Sequence, residues 1–518
     1  MNDPRIQPRP GAQAILSALL ALVFWLGMAA DRCFPQGSST TSLARTSTTT
    51  SSTTSTSTTS VIRTTTTTST TTSSTAVPPT LVLPYRSYFT QLSNRPSRRI
   101  GFALTNQSSL PATVRLTAFD NTGKPLKSSG GTFTNPVIVP LSPGGQWARV
   151  AFESSVFGTG LGNASGWFLA ESDRAGISGF YLLFNDGLTL MDGTEVSDRL
   201  AGTLIFPEVR NAEIALLNPG AAAATATLTL WSDRGAAVGK SASVSLVPGG
   251  RYAGPLTGLF AAADIAAAGW LRVSSDQPLA GSELIGTAES FLLALNPIDP
   301  AEGSQVAYSA QYAAGGGTYK TTLTLINLQN VATRVEISLV GDGGTALGKT
   351  AAVELPAQGR AVLADSSILG VDPAGALVQG YVKMVSSTAK IAGYVRFGDT
   401  KDAQFQTALP FARQGQSRLL YAQVVQDPLF FTGTAMVNPN PDAADLFLSV
   451  YDVGGARIGS ATARIPANGR ISRLLSEWIP GLPNMSQGYF KVWSSRPLLG
   501  FGVFGTRSLS VLAAVPPQ

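Results

Sequence analysis

From about Leu81 to the C-terminus, apolar and polar residues alternate with a period of two in four well-spaced stretches. In residues 225–231, Ala226, Leu228 and Leu230 face one way, and Thr225, Thr227 and Thr229 face the other. Val335, Ile337 and Leu339 alternate with Arg334, Glu336 and Ser338, and Leu446, Leu448 and Val450 alternate with Asp445, Phe447 and Ser449. A fourth version occupies residues 113–123. A period of two is the spacing of a half-buried strand, so each stretch predicts an antiparallel sheet with one wet face.

Each alternating strand sits at the same place in an ordered set of landmarks. Before it comes a strand ending in Asn106, Asn218, Asn327 or Asn438, and it closes on a turn carrying Asp120, Asp233, Asp342 or Asp452 followed by glycine. After it comes a strand ending in Pro and Gly, at 137–144, 244–249, 353–359 and 464–469. Then follows a glycine, an aromatic, a short strand, a polar turn and a second glycine, at 166–179, 269–281, 380–393 and 488–500. The copies lie about 110 residues apart. With turn signals between six or seven strands per copy, this predicts an all-β chain of four tandem immunoglobulin-like antiparallel β-sandwich modules, at 81–202, 203–303, 304–410 and 411–518. Ala-rich residues 259–268 and residues 366–375 predict short helical turns at sandwich edges.

The alternation stops upstream of the modules. Residues 1–30 carry Arg5 and Arg9 ahead of an apolar run from Ala14 to Ala30, the pattern of a cleaved secretory signal or a retained signal anchor. Cys33 follows Arg32, a poor fit to a lipoprotein attachment site. Residues 31–80 hold a tract of almost pure Ser and Thr, which has nothing apolar to bury and predicts a disordered stalk. This arrangement predicts an extracellular or cell-surface protein whose membrane contact is confined to the N-terminal segment.

Composition narrows the chemistry. Charged residues are only 13% of the chain, about half the usual share, and the 53 glycines suit short strands and many turns. Histidine is absent and Cys33 is the only cysteine, which removes imidazole and thiolate catalysis, thiolate metal clusters and internal disulfides. The net charge of +6 is scattered, and its one cluster, Arg95, Arg98 and Arg99, reads as a solvated edge rather than a nucleic-acid stripe. The turn aspartates read as self-capping Asx turns, since no second acid accompanies each of them as calcium would require. The four asparagines read as turn residues, with Asn106, Asn163 and Asn484 also in Asn-x-Ser triplets. Glu283 and Glu289 are the nearest approach to paired catalytic carboxylates, and no catalytic residue, cofactor or metal ligand is assigned.

The glycine–aromatic strand carries the functional expectation. Parity places Trp270 with Arg272, Tyr381 with Lys383, and Tyr489 with Lys491 and Trp493, on the face away from the apolar side. Trp167 has Leu169 in the cation's place. One reading is a cross-strand patch in which the cation's stem covers the ring. The other is a ligand-facing stripe, repeated along the chain and suited to glycans or cell-envelope polymers.

The segments at residues 216–239, 246–254 and 269–281 resemble tandem β-sandwich repeat modules of large secreted bacterial proteins of mostly uncharacterised function. The resemblance runs from about Leu81 to the C-terminus and implies fold and export, with no active site to carry over. Together these readings predict a non-enzymatic secreted or surface-attached protein serving adhesion or ligand display. The alternative is an architectural spacer or envelope component with no specific ligand.

Overall fold

The computed structural model describes residues 82–287, 291–364, 370–372, 374–401 and 405–518. The predicted signal segment and the Ser/Thr-rich tract lie outside the described residues, as do Glu289 and half of the second predicted helical turn, whose described half is not helical. The first is present as a single helix, Ala262–Ala267.

The chain is nearly all β, in several antiparallel sheets. The alternating stretches form the strands Ala112–Phe119, Ala224–Trp231, Thr333–Val340 and Ala444–Tyr451, with buried residues at every second position. Each pairs on one side with the strand before the Pro-Gly turn and on the other with the glycine–aromatic strand. The strands ending at asparagine lie in a second layer, paired with the continuation of the glycine–aromatic strand. Apolar residues fill the space between layers, among them Phe89, Phe102 and Phe168 in the first repeat and Leu216, Leu228 and Leu271 in the second.

The polar turn expected inside the glycine–aromatic motif is present in the first and third repeats, where strands Ser165–Ser172 and Ile177–Phe184, and Val378–Ser386 and Ile391–Asp399, are separate. In the second and fourth, one strand runs through, Trp270–Thr287 and Tyr489–Thr506, and serves both layers. Pro278 and Pro497 fall where the pairing on one side shifts register, so their missing N–H groups break no regular ladder. The first glycine of the motif is required by close approach. A Cβ at Gly166 or Gly380 would collide with the carbonyl oxygen of Phe119 or Val340, at the end of the alternating strand.

Residues 82–518 form one compact unit rather than separate beads. The closing strands Met191–Glu195, Phe291–Leu295, Gln406–Pro410 and Leu512–Val515 touch in cyclic order, the last returning to the first. The apolar cores also run across the joints. Phe180 and Met191 belong to the core of the fourth repeat, and Val437, Leu499 and Phe501 to that of the third. A chain low in charge and free of disulfides therefore gains its stability from shared cores.

Candidate functional site

Every joint between consecutive repeats is built alike, and the glycine–aromatic strand supplies its knob. Trp167 Nε1 donates to Gly249 O at 2.9 Å and Trp270 Nε1 to Gln358 O at 3.1 Å. Tyr381 Oη donates to Asn468 O at 3.0 Å, and Tyr489 Oη to Gly144 O at 2.7 Å. Each acceptor lies in the Pro-Gly turn of the following repeat, and the fourth returns to the first. A backbone bond recurs beside it, from Arg251, Arg360, Arg470 and Gln146 to the turn carbonyls of Asn121, Asp233, Asp342 and Val453, at 2.9 to 3.0 Å.

The expected ligand-facing stripe is corrected here for its aromatic rings. Trp270, Tyr381 and Tyr489 are almost completely buried. Trp270 stacks on Trp231 with centroids 5.4 Å apart, and Arg272 covers both rings while donating to the Gln358 side chain of the next repeat. Tyr489 stacks on Tyr451 with centroids 4.9 Å apart, under Lys491. Burial pushes the Tyr381 and Tyr489 hydroxyls up to about 12 and lowers Arg272 and Lys491 from their ordinary values. Lys383 stays half-buried on the same face, opposite Tyr308 and Ser338. Trp493 alone of the seven is well exposed, at 50%. The parity was right, but the face away from the sandwich core is in large part the face that meets the next repeat.

The side chain following the Pro-Gly turn reads its neighbour. Arg251 donates to Asn121 at 2.9 Å and Gln91 at 2.8 Å. Arg360 donates to Glu208 at 2.6 Å and Asp233 at 3.2 Å, and Arg470 to Asp342 and Gln311, both at 2.7 Å. At the closing joint Gln146 takes the place of arginine. Its Nε2 donates to Ala422 O and Gly488 O, and its Oε1 accepts from Gly488 N. These residues went unnoticed in the sequence, although Arg251, Arg360 and Arg470 each follow a glycine at the third landmark. Asp120 and Asp452 do cap their own turns, accepting from Lys124 N and Ala456 N, whereas Asp233 and Asp342 reach across the joint.

The four asparagines are fully buried and knit their loops to the Pro-Gly turns. Asn218 Nδ2, for example, donates to Ala222 O and Leu246 O. Asn106 does the same, so its amide is not open to glycosylation, whereas Asn163 and Asn484 are exposed. In the basic cluster, Arg98 pairs with Glu213 of the second repeat at 2.8 Å and Arg99 with Asp186.

At the axis of the circuit, Asp192 binds all three other closing strands. It accepts from Ala294 N at 2.9 Å, Thr407 Oγ1 at 2.8 Å and Ala514 N at 3.2 Å. Burial pushes its carboxyl up to about 7 against the pull of those donors. Beyond the ends of the closing strands lies a cavity of about 600 Å³ lined by all four repeats. Its charged groups are Glu195, Asp198, Asp299 and Glu302 against Arg199 and Arg413, with Glu302 facing both arginines. The Glu195 carboxyl is pushed up to about 7, by burial first and then by Asp198 and Glu302. Among the described residues no group of three or more acids, cysteines or histidines is placed to hold a metal, and no helix is long and apolar enough to cross a membrane.

Glu283, between the second and third repeats, is fully buried, and its carboxylate makes no well-formed hydrogen bond, the Glu208 backbone approaching it only weakly. Burial, and then Glu208, raise its carboxyl well above the ordinary 4.5. A raised carboxyl contributes stability that is fully present below its unfolded value and is lost as pH rises toward its folded one. Glu283→Met carries no proton, so the variant is expected to outlast wild type in urea at pH 8, by a margin smaller at pH 5. A constant or reversed margin would show that Glu283 is ionised and paired.

The class these features define is an all-β antiparallel protein whose sequence repeats share cores across arginine- and aromatic-sealed joints. No family model matches the chain, and a search of curated proteins gives no match.

Proposed function

We propose that this chain is a non-enzymatic secreted or surface-attached protein that displays ligand-binding surfaces on a rigid β scaffold, with glycans or cell-envelope polymers as partners. The observation that carries the reading is a contrast between joints and outer faces. The joints repeat the same bonds, while the matching outward positions of the glycine–aromatic sheets differ in every repeat. Glu171 lies between Arg86 and Arg115, and Ser274 between Thr203 and Thr227. Val385 lies between Val306 and Glu336, and Trp493 between Arg418 and Phe447. A fixed frame with varied faces suits display, and the resemblance to modules of large secreted proteins, the signal-like segment and the Ser/Thr-rich tract favour presentation outside the cell.

The purified full chain is expected to be retained on at least one class of polymer in an array of glycans and cell-wall polymers. Retention on none would favour the second reading, an architectural spacer. That reading draws on the use of the repeated aromatics for closure rather than contact with a ligand.

A further inference from the structure

We infer that the outward face of the fourth repeat is a binding site for an acidic polysaccharide bearing carboxylates. The site is a row of Arg418, Trp493 and Phe447 on three adjacent strands. This inference rests on the display reading above and names the ligand class for one face.

The row is set by register. Trp493 lies directly opposite Arg418 on one side and Phe447 on the other, and directly paired residues on antiparallel strands project to the same face. Three strands span about 10 Å. Trp493 is 50% exposed, Phe447 half-buried beside it, and Arg418 exposed. Tucking the indole away would raise stability, as it does for Trp270 two joints earlier, yet this ring stays open with a second aromatic, Phe447, as its paired residue on the next strand.

Charge selects the occupant. Arg418, Arg457, Arg464 and Lys491 share this face, with Arg457 opposite Tyr451 and Lys491 opposite Ser449. Asp445 on the same face is held by Arg464 at 2.8 Å. Among the described residues neither Arg418 nor Arg457 has a carboxylate partner. The matching row in the first repeat is closed on itself, since Glu171 takes both Arg86 and Arg115. In the second it is all hydroxyl. Among the described residues of the four matching rows, only that of the fourth repeat presents an open ring beside an unpaired guanidinium. A sugar ring laid on the indole places its carboxylate within reach of the planar Arg418 fork, which binds that group with two parallel hydrogen bonds. Single-stranded nucleic acid would need successive open rings along a cationic groove. This face offers one.

The test titrates the full chain with a polyuronate, a neutral glucan of equal length, oligo-dT and anionic phospholipid vesicles, by calorimetry at low and high salt. The polyuronate is expected to bind, more weakly as salt rises. Trp493→Ala is expected to lower its affinity about tenfold or more, and Trp493→Phe to retain most of it. Arg418→Gln is expected to bring the polyuronate down to the level of the neutral glucan. Melting temperatures should stay near wild type because both side chains are exposed. The inference is overturned if the polyuronate does not bind, if Trp493→Ala binds it as tightly as wild type, or if oligo-dT or vesicles bind more tightly through the same residues. A chain retained on a glycan array but indifferent to Trp493→Ala keeps the display reading and loses this site.

Discussion

Trp270→Ala is expected to destabilise the folded chain by about 3–5 kcal/mol, the cost of emptying a buried tryptophan site. The ring is fully buried, packs with Ile205, Ile298 and Ile326, and fastens the second repeat to the third through its bond to Gln358 O. Trp270→Phe keeps most of the packing and loses that bond, at about 1 kcal/mol. Urea unfolding followed by circular dichroism measures both. If Trp270→Ala unfolded within 1 kcal/mol of wild type while ligand binding fell, the ring would belong to a recognition surface after all.

Arg360→Ala is expected to cost about 3 kcal/mol, because it leaves the largely buried Glu208 carboxylate uncompensated at the joint. The Arg360 side chain is only 4% exposed and lies between Glu208 and Asp233, with Glu283 close by. The deficit should shrink in acid, because Arg360 favours the ionised form of Glu283 and that contribution fades once Glu283 is protonated in the folded and unfolded chain alike. Arg251→Ala is the control. Its acceptors, Asn121 and Gln91, do not titrate, and Glu213, the carboxylate whose charge reaches it, is paired with Arg98, so its deficit should change less between pH 7 and pH 4. Equal pH dependence in the two variants would remove the electrostatic account of the Arg360 joint.

The strands and the cores of the repeats were legible because burial on one face of a sheet leaves a period of two in the sequence. Residues 225–231 show this directly, with Ala226, Leu228 and Leu230 buried. The turn roles of the four asparagines were legible for a similar reason, since the partners of each are local or lie in the next turn of its own repeat. The recurrence of an aromatic with a cation was also legible, but its meaning was not. Parity tells which side of a strand a residue takes and says nothing about what stands on that side. For Trp270, Tyr381 and Tyr489 it is the next repeat. Asp192 left no signal, because its partners lie 102, 215 and 322 positions away, and Glu283 showed only as one of two nearby acids, since Glu208 and Arg360 act on it from 75 and 77 positions away.

The sequence by itself therefore determined the β class, the order of the strands and the face each side chain takes, since all three follow from local periodicity and turn chemistry. Only the tertiary structure decided that the fourth repeat returns to the first, with Gln146 where the other joints use arginine. It also decided which outward faces are covered and which stay open. Closure depends on contacts between distant segments, and no short-range pattern records whether a face such as that of Trp493 will meet solvent or another repeat.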